Sequence, residues 1–250
     1  MGAPGFDDAP VIVAPYLGTP KTVQFVYPYY ENPMFLERQL HLWESYPRSL
    51  LEHIRVYVVD DGSPKNPAAR VIKDQRLSFQ VRVFRVDVDV RWNWLAARNI
   101  GMHHADDGWC VLTDMDHMIP SETATRLSKC CHNEEIIYRF KRREASGELI
   151  HPHPNSMFMT REMFWRVGGY DEALSGHYGT DGDWRRRCAA TTRVQTLTDE
   201  IRRYEHIGDS STTGYKRKQP QDAGKKAIIA KRGKGWRPLA LSFPYHEEAL

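Results

Sequence analysis

Four short runs of β-favouring residues mark the first half of the chain: Val23 to Tyr27, Ile54 to Val59, Val81 to Val86 and Trp109 to Thr113. Pro28 closes the first, and Asp60, Asp61, Gly62, Ser63 and Pro64 stop the second. Helical stretches lie between them. Asn32 followed by Pro33 supplies a capping side chain and then a proline at the first helical position. Leu36, Leu40 and Trp43 follow on one helical face. Trp94 to His104 reads as another helix, ended by Asp106, Asp107 and Gly108, and Pro120, Ser121 and Glu122 open a third. Strands alternating with helices predict an α/β fold with a mostly parallel sheet over the first ~120 residues. Ligands of such sheets sit beyond the carboxyl ends of the strands. Those ends carry Tyr29, Tyr30 and Asn32, then Asp60 and Asp61, then Asp114 and Asp116. Carboxylates gathered at one rim repel one another, so the pattern needs a cause.

The second half reads differently. Phe158 to Tyr170 predicts a strand and a short helix ending at Gly168 and Gly169. From Ile201 to Arg237 there are eleven Lys or Arg against Glu205, Asp209 and Asp222, which predicts a mobile basic segment rather than a second core. Met1 to Lys21 reads as a loose lead-in.

Composition fits one globular domain: 250 residues, 41% hydrophobic, 27% charged, net charge +3. No apolar run approaches the length of a membrane span, and no secretory signal is visible. Cys110, Cys130, Cys131 and Cys188 form neither a disulfide framework nor a zinc knuckle. They fit reduced packing thiols and a cytoplasmic setting. His132 beside Cys130 and Cys131 makes a poor metal cage, because adjacent residues point different ways.

Asp114-Met115-Asp116 carries the chemistry. Residues two apart in extended backbone face the same way, so both carboxylates are expected at one spot beyond the strand. Hard oxygens there suit Mn²⁺ or Mg²⁺, which neutralises charge on a nucleotide diphosphate. A solvated turn remains the plain alternative.

The sequence resembles the family 2 glycosyltransferases of the GT-A type from about Thr22 to Arg187. Four pieces occur in the family's order: Val23 to Tyr27 with Tyr30 and Asn32; Val58-Val59-Asp60-Asp61-Gly62-Ser63; Ala97-Arg98-Asn99-Ile100-Gly101 leading into Asp114-Met115-Asp116; and Val167-Gly168-Gly169-Tyr170-Asp171-Glu172 followed by Thr180-Asp181-Gly182-Asp183 and Arg187. The fourth also resembles a galactosyltransferase-type carboxyl-terminal region, which leans the donor toward a UDP-hexose. The resemblance implies a GT-A fold: a Rossmann-like sheet flanked by helices, with an acceptor-side region and a basic tail. Residues 22–200 then form the glycosyltransferase domain, with 22–120 the nucleotide-binding half and 121–200 the acceptor half, and 201–250 form the basic segment.

The resemblance also implies roles. Tyr30, Asn32, Asp60, Asp61, Arg98 and Asp114 hold the nucleotide-sugar donor, with Asp60 accepting from the base. Asp114, Asp116 and His206 hold the metal. Asp181 is the general base of an inverting transfer, with Asp183 a rival. Thr180 and Trp184 stand where the family has an acid and Leu. His177, Asp183 and Trp184 face the acceptor, Trp184 as a stacking platform. The acceptor itself stays open: glycan, lipid-linked, protein or nucleic acid. The basic segment reads as a lid over the diphosphate or a contact for an anionic partner. Two other classes are open: a non-catalytic nucleotide-sugar or nucleic-acid binding module, and a metal-dependent nucleotidyltransferase, which would usually show a glycine-rich phosphate loop after the first strand.

Overall fold

The computed structural model describes residues 9–16, 18–205 and 223–250. In chain order the elements are β1 (Val11–Ile12), β2 (Val23–Tyr29), α1 (Pro33–Glu44), α2 (Arg48–Leu51), β3 (Ile54–Asp60), α3 (Ala68–Ile72), β4 (Gln80–Val86), α4 (Trp94–His104), β5 (Trp109–Leu112), β6 (His117–Met118), α5 (Ser121–Lys129), β7 (Ile136–Arg143), β8 (Leu149–Ile150), β9 (Met157–Thr160), α6 (Arg161–Val167), α7 (Asp181–Thr191), β10 (Arg193–Arg203), α8 (Ala223–Ala230) and β11 (Tyr245–Glu248). The sheet runs β1-β10-β7-β9-β5-β2-β3-β4-β11, with β6 beside β10 and β8 beside β7. Strands β5, β2, β3 and β4 are mutually parallel, and β9 runs antiparallel between β5 and β7. Chain order reverses at β2, whose two neighbours are β3 and β5. Such a reversal opens a crevice at the carboxyl ends of the strands.

The strands read as unbroken apolar runs because helices cover both faces. Phe25 and Tyr27 of β2 join one core cluster with Leu36, Leu40 and Trp43 of α1, while Val26 joins the other with Ile100 of α4 and Trp184 of α7. Gly101 lets α4 approach β2 closely: a Cβ there would lie 2.4 Å from Val26 Cγ1. Helix α1 starts as expected, with the Asn32 side chain accepting from Phe35 N at 3.2 Å and Pro33 in its first turn. Pro28 sits inside β2 without breaking it. Val26 O accepts from Thr113 N, so Pro28 turns its missing N–H to the same side, where β5 has already ended at Leu112.

Residues 223–250 correct the expectation of a mobile basic segment. Strand β11 pairs antiparallel with β4. The Glu172 carboxylate accepts from Leu241 N at 2.8 Å and from both Ser242 N and Ser242 Oγ, while Asp171 accepts from Leu239 N at 3.0 Å. Arg232 pairs with Asp171 and Asp183 and lies 3.7 Å from the Trp236 ring centroid. Arg232 therefore answers buried acids, while Lys226, Lys231, Lys234 and Arg237 stay exposed. Residues 201–203 belong to β10. Of the basic segment 201–250, read as a possible lid, residues 206–222 lie outside the described residues, and His206 with them.

His132 is buried among Trp109, Tyr138 and Phe158. Burial pushes its imidazole down to about 4, with a bond to the Cys130 backbone opposing. As pH falls, the unfolded chain takes this proton first. The contribution to stability is complete above about pH 6.5 and is lost toward pH 4, by up to roughly 3 kcal/mol. Melting curves from pH 7 to 4.5 are expected to fall less steeply for His132→Leu than for the wild type. Parallel curves would refute this.

Candidate active site

Around the β2/β5 reversal, the acidic carboxyl ends of β3 and β5 lie on either side of β2 at one edge of the sheet. After β5, the chain turns at Asp114, closed by His117 N donating to Asp114 O at 3.0 Å. Arg98 reaches this turn from α4. Its guanidinium is fully buried, ion-paired with Asp114, and donates to Asn155 O at 2.8 Å and Tyr170 Oη at 3.0 Å. It also lies over the Trp94 ring, 5.0 Å from the centroid. The other Asp114 oxygen is 3.4 Å from His153 Nε2.

Asp116 keeps 29% of its side chain exposed. One oxygen is 2.7 Å from His117 Nδ1 and the other 3.8 Å from Arg203 Nε. Burial pushes this carboxyl up, but His117, Arg203 and Arg142 outweigh it and hold it below its ordinary value. The rings of His117 and His153 lie 4.1 Å apart, so an imidazole pair links the two carboxylates. Burial, then His117 and three arginines, push His153 well below its ordinary value, which keeps it neutral near pH 7.

No group of three or more His, Cys, Asp or Glu converges as a metal cage among the described residues. The donor set nevertheless fits a hard divalent cation in kind. A cation of that class is commonly held by one or two carboxylates, with substrate phosphates completing its shell, and the partly exposed oxygens of Asp116 beside Asp114 offer that.

The tandem acids after β3 divide their work. Asp60 accepts from Ser63 N at 2.8 Å and Ala68 N at 2.7 Å, so each oxygen already anchors the following turn. Both oxygens of Asp60, expected to meet the donor base, thus already have partners within the chain. Asp61 is buried, and its Oδ1 has no hydrogen-bond partner. Burial and then Asp60 push its carboxyl well up, with the Asn93 backbone opposing. Gly62 fixes this geometry: its φ is +79°, and a Cβ would lie 2.6 Å from Val88 O. Tyr30 stands at the same rim, its hydroxyl 3.1 Å from Asp89 Oδ1. Asn32 caps α1, as its position before Pro33 suggests.

Helix α7 opens at Asp181. This carboxylate keeps 24% of its side chain exposed and lies 3.5 Å from Arg185. It lines a cavity of about 330 Å³ with Arg142, His151, Pro152, Pro154 and Arg185. Asp183 is different. It is 5% exposed and held by Arg187 Nε at 3.0 Å and by Arg232. Burial raises it, but these two arginines outweigh burial and keep it below the usual carboxylate range. His177 sits half-buried in the loop before α7, its N–H donating to Leu174 O at 3.3 Å. Trp184 is no stacking platform. It is 0% exposed, stacked on Tyr170 at 4.6 Å, and its indole N–H points at Met157 Sδ. A sugar cannot reach it.

Several contributors carry no sequence signal as simple as a motif. Glu31, at φ +47°, accepts from Lys65 N and from Asn66 Nδ2, tying the β2 and β3 loops together. Asn99 donates to Tyr170 O and Glu172 and accepts from Tyr170 N, which locks the Gly-Gly-Tyr turn. His153 and Arg203 enter the acidic turn from distant segments.

No helix of the described residues is long and apolar enough to cross a membrane. A comparison with curated proteins finds no match. Solved structures share the architecture. TarS 1-349 of S. aureus in complex with UDP-GlcNAc superposes with a TM-score of 0.61 at 14% identity, covering 78% of this chain and 62% of that one. GalNAc-T7 with UDP, GalNAc and Mn²⁺ gives 0.60 at 15% identity, over 84% and 48%. The mannosyltransferase PcManGT of Pyrobaculum calidifontis with GDP-Man and Mn²⁺ gives 0.58 at 18% identity, over 82% and 63%. The chain thus spans less than two thirds of each of these structures, and at such identities the likeness is one of fold. The sequence itself matches the family model described as glycosyl transferase family 2 over residues 26–185, well over half its length. With that match and this sheet, the chain belongs to glycosyl transferase family 2 and carries the GT-A fold.

Proposed function

We propose that the protein is an inverting hexosyltransferase that uses a UDP-linked donor and an Asp general base. The observation that carries this reading is the contrast along α7. Asp181 is partly open on a cavity and weakly paired, whereas Asp183 is locked between arginines. A base must be free to take a proton, so the role falls to Asp181. The acceptor oxygen bonds to the anomeric carbon as the bond from that carbon to the diphosphate oxygen breaks. The diphosphate leaves with the electron pair, and Asp181 takes the hydroxyl proton.

The donor side is read from the β2/β5 crevice, within 22–120. The orphaned Oδ1 of Asp61 is an acceptor for the imide N–H of uracil, with Tyr30 at the rim. Arg98 orients Asp114. Asp114 and Asp116 would hold a divalent cation, Mn²⁺ or Mg²⁺, with His206 as a third ligand. When bound, the cation neutralises charge on the leaving diphosphate.

UDP release from UDP-hexoses tests this. Release is expected to need Mn²⁺ and to fall by about 10²-fold or more on chelation and in Asp116→Ala, since a metal supplies several kcal/mol. Pyrophosphate formed from UTP and a sugar phosphate would identify a nucleotidyltransferase, and binding without release a non-catalytic module. Near-normal turnover of Asp116→Ala would end the metal assignment.

A further inference from the structure

The cavity beside Asp181 has a chemistry of its own. Arg142 enters it from the end of β7, Arg185 from one turn along α7, and Pro152 and Pro154 build a wall whose backbone φ is fixed. Two guanidinium groups thus face one carboxylate. The Arg142 Nε is buried without a hydrogen-bond partner. Burial and the neighbouring Arg203 hold the Arg142 guanidinium below its ordinary value, with Asp116, Glu144 and Asp114 pulling the other way. This cation is poorly compensated.

The hydroxyls of a neutral sugar can accept from these guanidinium groups but leave their charge without a counter-ion. A phosphate or carboxylate would satisfy it with charge-assisted bonds, and the planar guanidinium fork matches both anions. The cavity, about 330 Å³, is at the small end of the range for ligand sites, suited to a single sugar or polyol unit.

We propose that this cavity takes an anionic acceptor, a sugar or polyol bearing a phosphate or carboxylate, with Arg142 and Arg185 gripping the anion and the reacting hydroxyl turned toward Asp181. The inference rests on the glycosyl-transfer reading and deepens it. Family membership does not supply it, because it stands on Arg142, Arg185 and the prolines of this chain.

The test is calorimetric titration of inorganic phosphate into UDP-saturated protein, so that the donor's own phosphate positions are filled. Binding is expected to persist under UDP, to weaken at least tenfold in Arg142→Gln and in Arg185→Gln, and to recover in part in Arg142→Lys, with melting temperatures confirming that each variant folds. Glucose 6-phosphate and glucuronate are each expected to bind more tightly than glucose, and the tighter of the two identifies the anion. No phosphate binding, phosphate displaced by UDP, unchanged affinity in both Gln variants, or equal binding of all three sugars would overturn the proposal. Failure of the parent reading shows separately, as protein that binds phosphate yet releases no UDP from any UDP-hexose.

Discussion

Asp181→Asn is expected to lower sugar transfer by 10²- to 10⁴-fold, the usual contribution of a positioned general base, while leaving donor affinity unchanged. The substitution keeps shape and removes the ability to take a proton. Asp183→Asn is expected to behave in the opposite way. Its carboxylate is buried between Arg187 and Arg232, and Arg232 also answers Asp171. Removing its charge leaves two arginines poorly matched, at a cost of roughly 2–3 kcal/mol, below the full cost of breaking a buried pair because Asn still accepts hydrogen bonds. That loss appears as a lower melting temperature with residual turnover. Paired measurements of melting and of kcat at saturating acceptor separate the two. An inactive but fully stable Asp183→Asn beside an active Asp181→Asn would move the base two residues along the helix.

Much of the fold around β2 was legible in the sequence. Strands β3 and β4 are valine-rich runs that end at or just before an Asp, β2 runs on through Pro28 to Tyr29, and helix α4 matches its expected span from Trp94 to His104. Strands β7 and β10 were not read, because Lys141, Arg142 and Arg143 in one and Arg202 and Arg203 in the other make their ends look like surface. Those charged ends are also what enters the site. The division of labour between Asp60 and Asp61 has no local signal: both follow an apolar strand, and the distinction depends on Ser63 and Ala68 folding back onto one of them. The docking of residues 223–250 was hidden for a related reason. Arg232 looks like one more solvated cation until Asp171 and Asp183 are seen to face it. Trp184, by contrast, carried a usable signal. Trp184 and Cys188 are four apart, which places them on one face of a helix, and both are fully buried.

That burial makes Trp184→Ala the second large effect. The side chain stacks on Tyr170, packs 5.0 Å from Phe164 and points its N–H at Met157. Truncation leaves a cavity where α7 meets the sheet, at a cost of about 3–5 kcal/mol. For a chain of this size that corresponds to a fall in melting temperature of roughly 10 °C. Activity is expected to suffer through position as well as amount. Trp184 is three residues after Asp181, so it anchors the turn that carries Asp181, the proposed base, and a misplacement of about 1 Å can cost 10²-fold in rate. The loss should therefore appear in kcat, even in protein that is folded at the assay temperature. Trp184→Phe keeps most of the packing and is expected to restore most of both. A stacking platform would behave otherwise: Trp184→Ala would raise the acceptor KM with melting temperature and kcat untouched. That result would return Trp184 to the acceptor site and place the inward face of α7 in the wrong register.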